Sequence, residues 1–269
     1  MNTKNSFEPF PQSEKIRVPE RNHLKEGIRP IMACVGTYEQ FGGHHAVEKL
    51  ARDIDAGAGS AHNVDYYGNP EDLSRRGFKN KDRYLYVISP VDNLDKFSKS
   101  FRDCTGVVVT GLDKKTGKNI SFLSHQDPQH FLKEENKNAF VHDLRQQLRA
   151  IRELSKEGTI DAIIVGGNYF NMEDSGEFAD KYVASIAFLS KEIKEALGFE
   201  PLIKTGPKVV GGSDDILLDT KHRRLYVVRP EVGDVTTESF VTSDMKTFAQ
   251  KWGEREVERS REMENEEKK

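Results

Sequence analysis

Cys104-Thr105-Gly106-Val107-Val108-Val109-Thr110 is followed by Leu112-Asp113-Lys114-Lys115-Thr116-Gly117-Lys118 and then by Asn119-Ile120-Ser121-Phe122-Leu123-Ser124-His125. The outer segments are rich in β-branched and apolar residues that suit a pleated surface, and the middle one carries the polar residues and glycine of a turn. Together they read as an antiparallel hairpin. Such pairing sets the start of the first strand beside the end of the second, so Cys104 and His125 can meet although 21 positions separate them.

Working outward, Tyr84-Leu85-Tyr86-Val87-Ile88 is a strand stopped by Pro90, and Arg29 to Val35 is a short buried strand ended by Gly36. Between them, Ala46, Val47, Leu50, Ala51 and Ile54 mark a helical face, and residues 55–82, rich in Gly, Asn, Asp and Arg, read as a long loop or insertion. On the other side of the hairpin, Phe140, Leu144, Leu148, Ile151 and Leu154 recur at steps of three and four, which predicts an amphipathic helix within 133–157 ended by Gly158. Ile160 to Val165 is a strand closed by Gly166-Gly167. Phe178, Tyr182, Ile186, Leu189, Ile193 and Leu197 predict a second long helix with Gly198 as its stop. Pro201–Thr205, Asp215–Asp219 and Arg224–Val228 are three further strands, the last two joined by Thr220-Lys221-His222-Arg223. There is no internal repeat. Strands and long helices interspersed with hairpins predict an α/β or α+β fold, with helices outside largely antiparallel or mixed sheets, and α+β is the expectation carried forward.

Residues 1–26 are polar and follow neither period, so they read as a mobile arm; residues 27–242 form one domain, and 243–269 a highly charged terminal helix with both signs interleaved. The 41 basic and 44 acidic residues give a net charge of −3, which offers no basic footprint for nucleic acid or anionic lipid. No apolar run approaches the ~20 residues a membrane helix needs, and the N-terminus lacks the apolar core of a signal peptide. Two cysteines cannot build a disulfide scaffold or a Cys-rich zinc site. A cytoplasmic, reducing setting is the expectation.

The thiol and imidazole at the hairpin end have the chemistry of nucleophilic catalysis. His stabilises a thiolate, and the imidazolium protonates the leaving group. Residue types alone leave a second reading open, with Cys104 a small core residue and His125 a turn residue. Cys34, followed by His44 and His45, is a competing thiol pair, but Cys34 lies inside an apolar run and reads as core. Asp127 either orients a ring or caps the turn before Pro128. Gly166-Gly167 and Gly211-Gly212 belong to no phosphate-cradling motif, so backbone turning is their role.

Cys104-Thr105-Gly106-Val107-Val108-Val109, a turn, and Ser121 to Asp127 resemble the active-site hairpin of the chemoreceptor glutamine deamidases of the CheD family. Leu123-Ser124-His125-Gln126-Asp127 also resembles the Leu-Thr-His-x-Asp of protein N-terminal asparagine amidohydrolases, and cytotoxic necrotizing factor toxins have a similar Cys and His arrangement. Ala162 to Phe170 is similar to the Gly-Gly segment of the CheD family, and Gly211 to Asp219 with Arg224 to Arg229 to its late hairpin. The resemblance spans roughly residues 83–230 and leaves 27–82 as an extension.

It implies a layered α/β/β sandwich and a thiol-dependent amidohydrolase acting on a Gln or Asn carboxamide of a protein or peptide, without cofactor or metal. Cys104 would be the nucleophile and His125 its acid and base. Ser98, six positions before the cysteine, would stand for the family's catalytic threonine, and Ser98 or Ser100 is expected to hydrogen-bond the outer nitrogen of His125. The chain departs from the family at Asp103, which replaces a serine and sets a carboxylate beside the thiol; strand alternation is expected to turn that carboxylate away. The small-residue loop before the cysteine and the late Gly-Arg are also missing. Two other readings remain: a catalytically silent module that binds a protein partner, and an effector deamidase delivered to another cell.

Overall fold

The computed structural model describes residues 21–37, 61–64, 86–167, 176–204 and 214–229. The expected helix at 46–54, the histidines at 44 and 45, Gly211-Gly212 and the charged segment 243–269 lie outside the described residues. The described chain forms ten strands and three helices, an α+β arrangement. One sheet has the order β1 (Met32–Thr37), β10 (Arg224–Arg229), β9 (Asp214–Asp219), β4 (Asp95–Phe101), β2 (Ala61–Asn63). The other has the order β3 (Tyr86–Ile88), β6 (Asn119–Gln126), β5 (Thr105–Leu112), β7 (Asp161–Gly166), β8 (Leu202–Lys204). Both are mixed: β1 with β10, β2 with β4, and β7 with β8 run parallel, and the other neighbours are antiparallel.

Alternation along the second sheet builds two cores. Val107, Val109, Phe122, Ala162, Ile164 and Ile203 face the helices, packing with Phe140, Leu144, Leu148, Tyr182 and Leu189. Val87, Val108, Leu123, Ile163, Val165 and Leu202 face the first sheet and meet Ile216, Leu218, Leu225 and Val227. The order is therefore helices, sheet, sheet. A strand buried on both faces needs consecutive apolar residues, which Val107–Val109 of β5 and Ala162–Val165 of β7 supply.

The hairpin of β5 and β6 is closed by Asp113, whose Oδ1 accepts the Lys115 and Thr116 N–H groups at 2.8 and 2.6 Å. Helices α1 (Pro128–Phe131), α2 (Glu134–Leu154) and α3 (Gly176–Leu197) follow. Gly198 ends α3 with φ +85°, its N–H returning to the Lys194 carbonyl at 2.9 Å. Helix α2 stops four residues before Gly158, because Ser155 turns extended and bridges to Asp113, and the Leu154 carbonyl takes the Lys114 N–H of the hairpin turn.

Strand β4 falls where the sequence suggests no strand, and it carries a bulge. Ser98 pairs with Ile216 but Phe101 with Asp214, and Ser100 between them has φ +63°. The extra residue resets the alternation, so Ser98 and Phe101 are both buried while Ser100 is exposed. Residues 21–26, the end of the expected arm, are tied to the sheet. Arg21 pairs with the buried Asp161, His23 stacks on Phe199 with centroids 3.7 Å apart, and the Lys25 N–H donates to the Gly158 carbonyl at 2.8 Å.

Candidate active site

The site begins with strand register. Thr105 pairs with Gln126 and Val108 with Leu123, which sets Gly106 opposite His125. Cys104, immediately before β5, has the parity of Gly106 and Val108, and it belongs to the same inter-sheet core as Val108 and Leu123. His125 shares that face with Leu123. Thiol and imidazole are thus diagonal neighbours across the hairpin, a relation that leaves Cβ atoms roughly 7 Å apart. Gly106, opposite His125 in the register, stands where a side chain does not fit. A Cβ there would run into the Ser124 carbonyl and come within 3.0 Å of the Phe101 ring and of Val165.

The facing sheet supplies two partners to the imidazole. Ser98 Oγ lies 2.8 Å from His125 Nδ1 and 2.7 Å from the Val64 carbonyl. A carbonyl can only accept and a hydroxyl has one proton, so that proton goes to Val64 and Nδ1–H donates to Ser98. The basic nitrogen of His125 is therefore Nε2. Phe101 stacks on the ring with centroids 3.8 Å apart and an interplanar angle of 15°. The bulge at Ser100 makes both contacts possible from one strand. Of the two serines expected to reach His125, Ser98 does so; the Ser100 side is turned outward, and its N–H donates to Asp215 Oδ1 at 3.1 Å.

Electrostatics depart from the expectation of a preformed thiolate and imidazolium. His125 is fully buried, and loss of hydration pushes its pKa from 6.5 down to about 3. The imidazole is neutral at pH 7. Cys104 is a free thiol with 2% of its surface exposed, which argues against the rapid alkylation an open nucleophile undergoes. Asp103 is raised, first by burial and then by the neighbouring Asp127, with Arg102 and His130 acting in the opposite sense. Its carboxylate is set by a cluster outside the inter-sheet core. Asp127 caps α1: Oδ1 accepts the Gln129 N–H at 2.8 Å, and Oδ2 meets His130 Nδ1 at 2.7 Å.

Gly167 binds this end of the hairpin to β7. Its N–H donates to the Cys104 carbonyl at 3.0 Å, and a Cβ would collide with the Phe101 carbonyl, so close backbone approach is its role. On the opposite face of the hairpin, Thr105 Oγ1 meets Ser185 Oγ of α3 at 2.6 Å. Cys34 sits on β1 opposite Tyr226, and its histidine partners lie outside the described residues. A surface cleft of about 310 Å³ between α2 and α3 is lined by Arg145, Arg149, Arg152, Glu192 and Glu195, across the second sheet from Cys104.

Sequence reasoning missed Phe101 and the Val64 carbonyl, because both reach His125 from the other sheet and no local pattern announces a contact between sheets. Among the described residues no three His, Cys, Asp or Glu side chains gather as a metal site, and no helix is long and apolar enough to cross a membrane. No protein-family model matches the chain, and no curated protein matches it.

Proposed function

We propose that the chain is a cysteine-dependent amidohydrolase that converts a Gln or Asn carboxamide of a protein or peptide into the acid. The observation that carries this reading is the hydrogen bond between Ser98 and His125, which leaves Nε2 as the base on the sheet face that Cys104 shares. As Sγ attacks the carboxamide carbon, Nε2 takes the thiol proton, and backbone N–H groups at the strand end hold the oxyanion. The intermediate collapses to a thioester, and the proton on Nε2 leaves with ammonia. Nε2 then takes a proton from water as the water oxygen attacks the thioester; the acid departs and the proton returns to sulfur. One carboxamide and one water give one acid and one ammonia. Nδ1–H stays on Ser98 throughout and keeps the ring from turning.

An imidazole held near pKa 3 is a weak base, so turnover requires the layer over Cys104 to admit substrate and water beside the ring. That burial also favours a second reading, in which the hairpin is retained as structure and the protein is a catalytically silent, partner-binding module. A reducing compartment is part of the first reading, since it depends on a free thiol. Mass spectrometry of Gln- and Asn-containing proteins and peptides, incubated with the wild-type chain and with Cys104→Ala, separates the two. Deamidation adds about one dalton per site, by exchange of NH2 for OH. A gain seen with wild type and abolished in the variant supports the enzyme. No gain in any substrate, or equal gain with Cys104→Ala, refutes it.

A further inference from the structure

The hydrogen-bond path that fixes His125 continues beyond Ser98. Val64, whose carbonyl takes the Ser98 proton, follows β2, a three-residue strand at the edge of the first sheet. So short a ladder holds an edge weakly. It is reinforced at Val64 itself and two residues before it. The Val64 N–H donates to the Phe97 carbonyl at 2.6 Å, and His62, in the middle of β2, places Nε2 2.7 Å from Asp92 Oδ2.

Asp92 is itself immobilised. Its Oδ1 accepts the Leu94 N–H at 2.9 Å and Lys96 Nζ at 2.8 Å, and the fully buried Lys96 also donates to the Leu94 carbonyl. Its backbone exchanges hydrogen bonds with Ser121 of β6, the strand that carries His125, at 3.2 and 2.8 Å. One aspartate thus ties together β2 through His62, β4 through Lys96 and β6 through Ser121. Val64 directly follows the first of these, and the other two carry Ser98 and His125.

We propose that His62 and Asp92 are positioning residues, a clamp that holds the Val64 carbonyl over Ser98 and thereby selects the Nδ1–H tautomer of His125. With the clamp closed, the Ser98 proton is committed to Val64, so Ser98 can only accept from the ring. Loosening β2 releases that proton, which Ser98 then donates to Nδ1. His125 would carry its own proton on Nε2, and an Nε2–H cannot take a proton from a thiol. The kinetic consequence rests on the amidohydrolase reading, whereas the tautomer consequence does not.

The experiment uses the full chain with 15N-labelled histidine. The tautomer of His125 is read by NMR in wild type, in His62→Phe, which keeps ring bulk without a hydrogen bond, and in His62→Gln, which restores an N–H toward Asp92. Wild type is expected to hold its proton on Nδ1, His62→Phe to shift most of the population to Nε2–H, and His62→Gln to recover the wild-type state. A tenfold loss of the competent tautomer lowers kcat about tenfold with KM unchanged. An unchanged tautomer in His62→Phe overturns the proposal, as does a wild type protonated on Nε2. A His62→Phe chain that fails to fold while His62→Gln folds also overturns it, because the contact then serves the fold and not the ring. A tautomer that shifts as expected, in a wild type that deamidates nothing, leaves the clamp standing and removes the enzyme.

Discussion

Lowering the pH from 7 to 5 probes the burial of His125 directly. In the folded chain its pKa is about 3, because the fully buried ring loses its hydration, while in the unfolded chain it returns to about 6.5. Between those values the unfolded state binds a proton that the folded state does not, so stability rises with pH across the window and is lost as pH falls below about 6.5. Each pH unit inside the window changes the unfolding free energy by up to about 1.4 kcal/mol. At pH 5 the chain has moved about 1.5 units into the window, a loss on the order of 2 kcal/mol relative to pH 7. The assay is urea denaturation at pH 7, 6 and 5 of wild type and of His125→Gln, which removes the titrating ring and keeps a polar side chain of similar reach. Wild type should lose about 2 kcal/mol more than the variant over this range, with unchanged dependence on denaturant. Parallel pH profiles for the two proteins would refute a buried, neutral His125.

Ser98→Ala removes the hydroxyl shared by the Val64 carbonyl and His125 Nδ1, and should cost about 2–4 kcal/mol in denaturation, against about 1 kcal/mol for Ser98→Thr, which keeps it. A loss below about 0.5 kcal/mol for the alanine variant would mean those bonds hold little. Gly106→Ala should destabilise by more than about 2 kcal/mol, since its methyl meets the Ser124 carbonyl and the Phe101 ring, and should shift the NMR signals of both rings in the stack. Asp161 is held below the usual carboxylate range against the opposing effect of its burial, by His23, the Arg21 charge and the Ile31 N–H. Its stabilisation is therefore present above about pH 3.9 and is lost as pH falls through its lower folded pKa. Asp161→Asn should be about 2–4 kcal/mol less stable than wild type at pH 7, and the gap should close in acid.

What the sequence discloses follows from how local each signal is. The β5–β6 hairpin and the helices α2 and α3 are readable because turn residues and a repeat of three and four lie within a single segment. Strand β4 is hidden. In Asp95-Lys96-Phe97-Ser98-Lys99-Ser100-Phe101 a lysine and a serine occupy buried positions, and the bulge breaks the alternation before Phe101. Strand β2 is too short and too polar to stand out in a loop-like segment. The pairing of Cys104 with His125 on one face follows from hairpin register alone. Ser98 is found only by counting back six positions through a family resemblance, and Phe101 not at all, because their contacts with His125 depend on how two sheets stack. The neutral state of the imidazole was equally invisible, since it depends on burial from several elements at once.

Alkylation of Cys104 by iodoacetamide, followed by peptide mapping in native wild type and in His125→Gln across pH 6 to 9, tests whether imidazole and thiol act together. Because Cys104 is buried, opening of the layer limits the absolute rate, and the ratio between the two proteins carries the information. If Nε2 serves the sulfur, Cys104 in wild type should react about tenfold or more faster than in the variant near neutral pH, with Cys34 alkylated equally in both. Equal rates at Cys104 with and without the imidazole would contradict the account, leaving the thiol and the imidazole as neighbours in a core and not as a reacting pair.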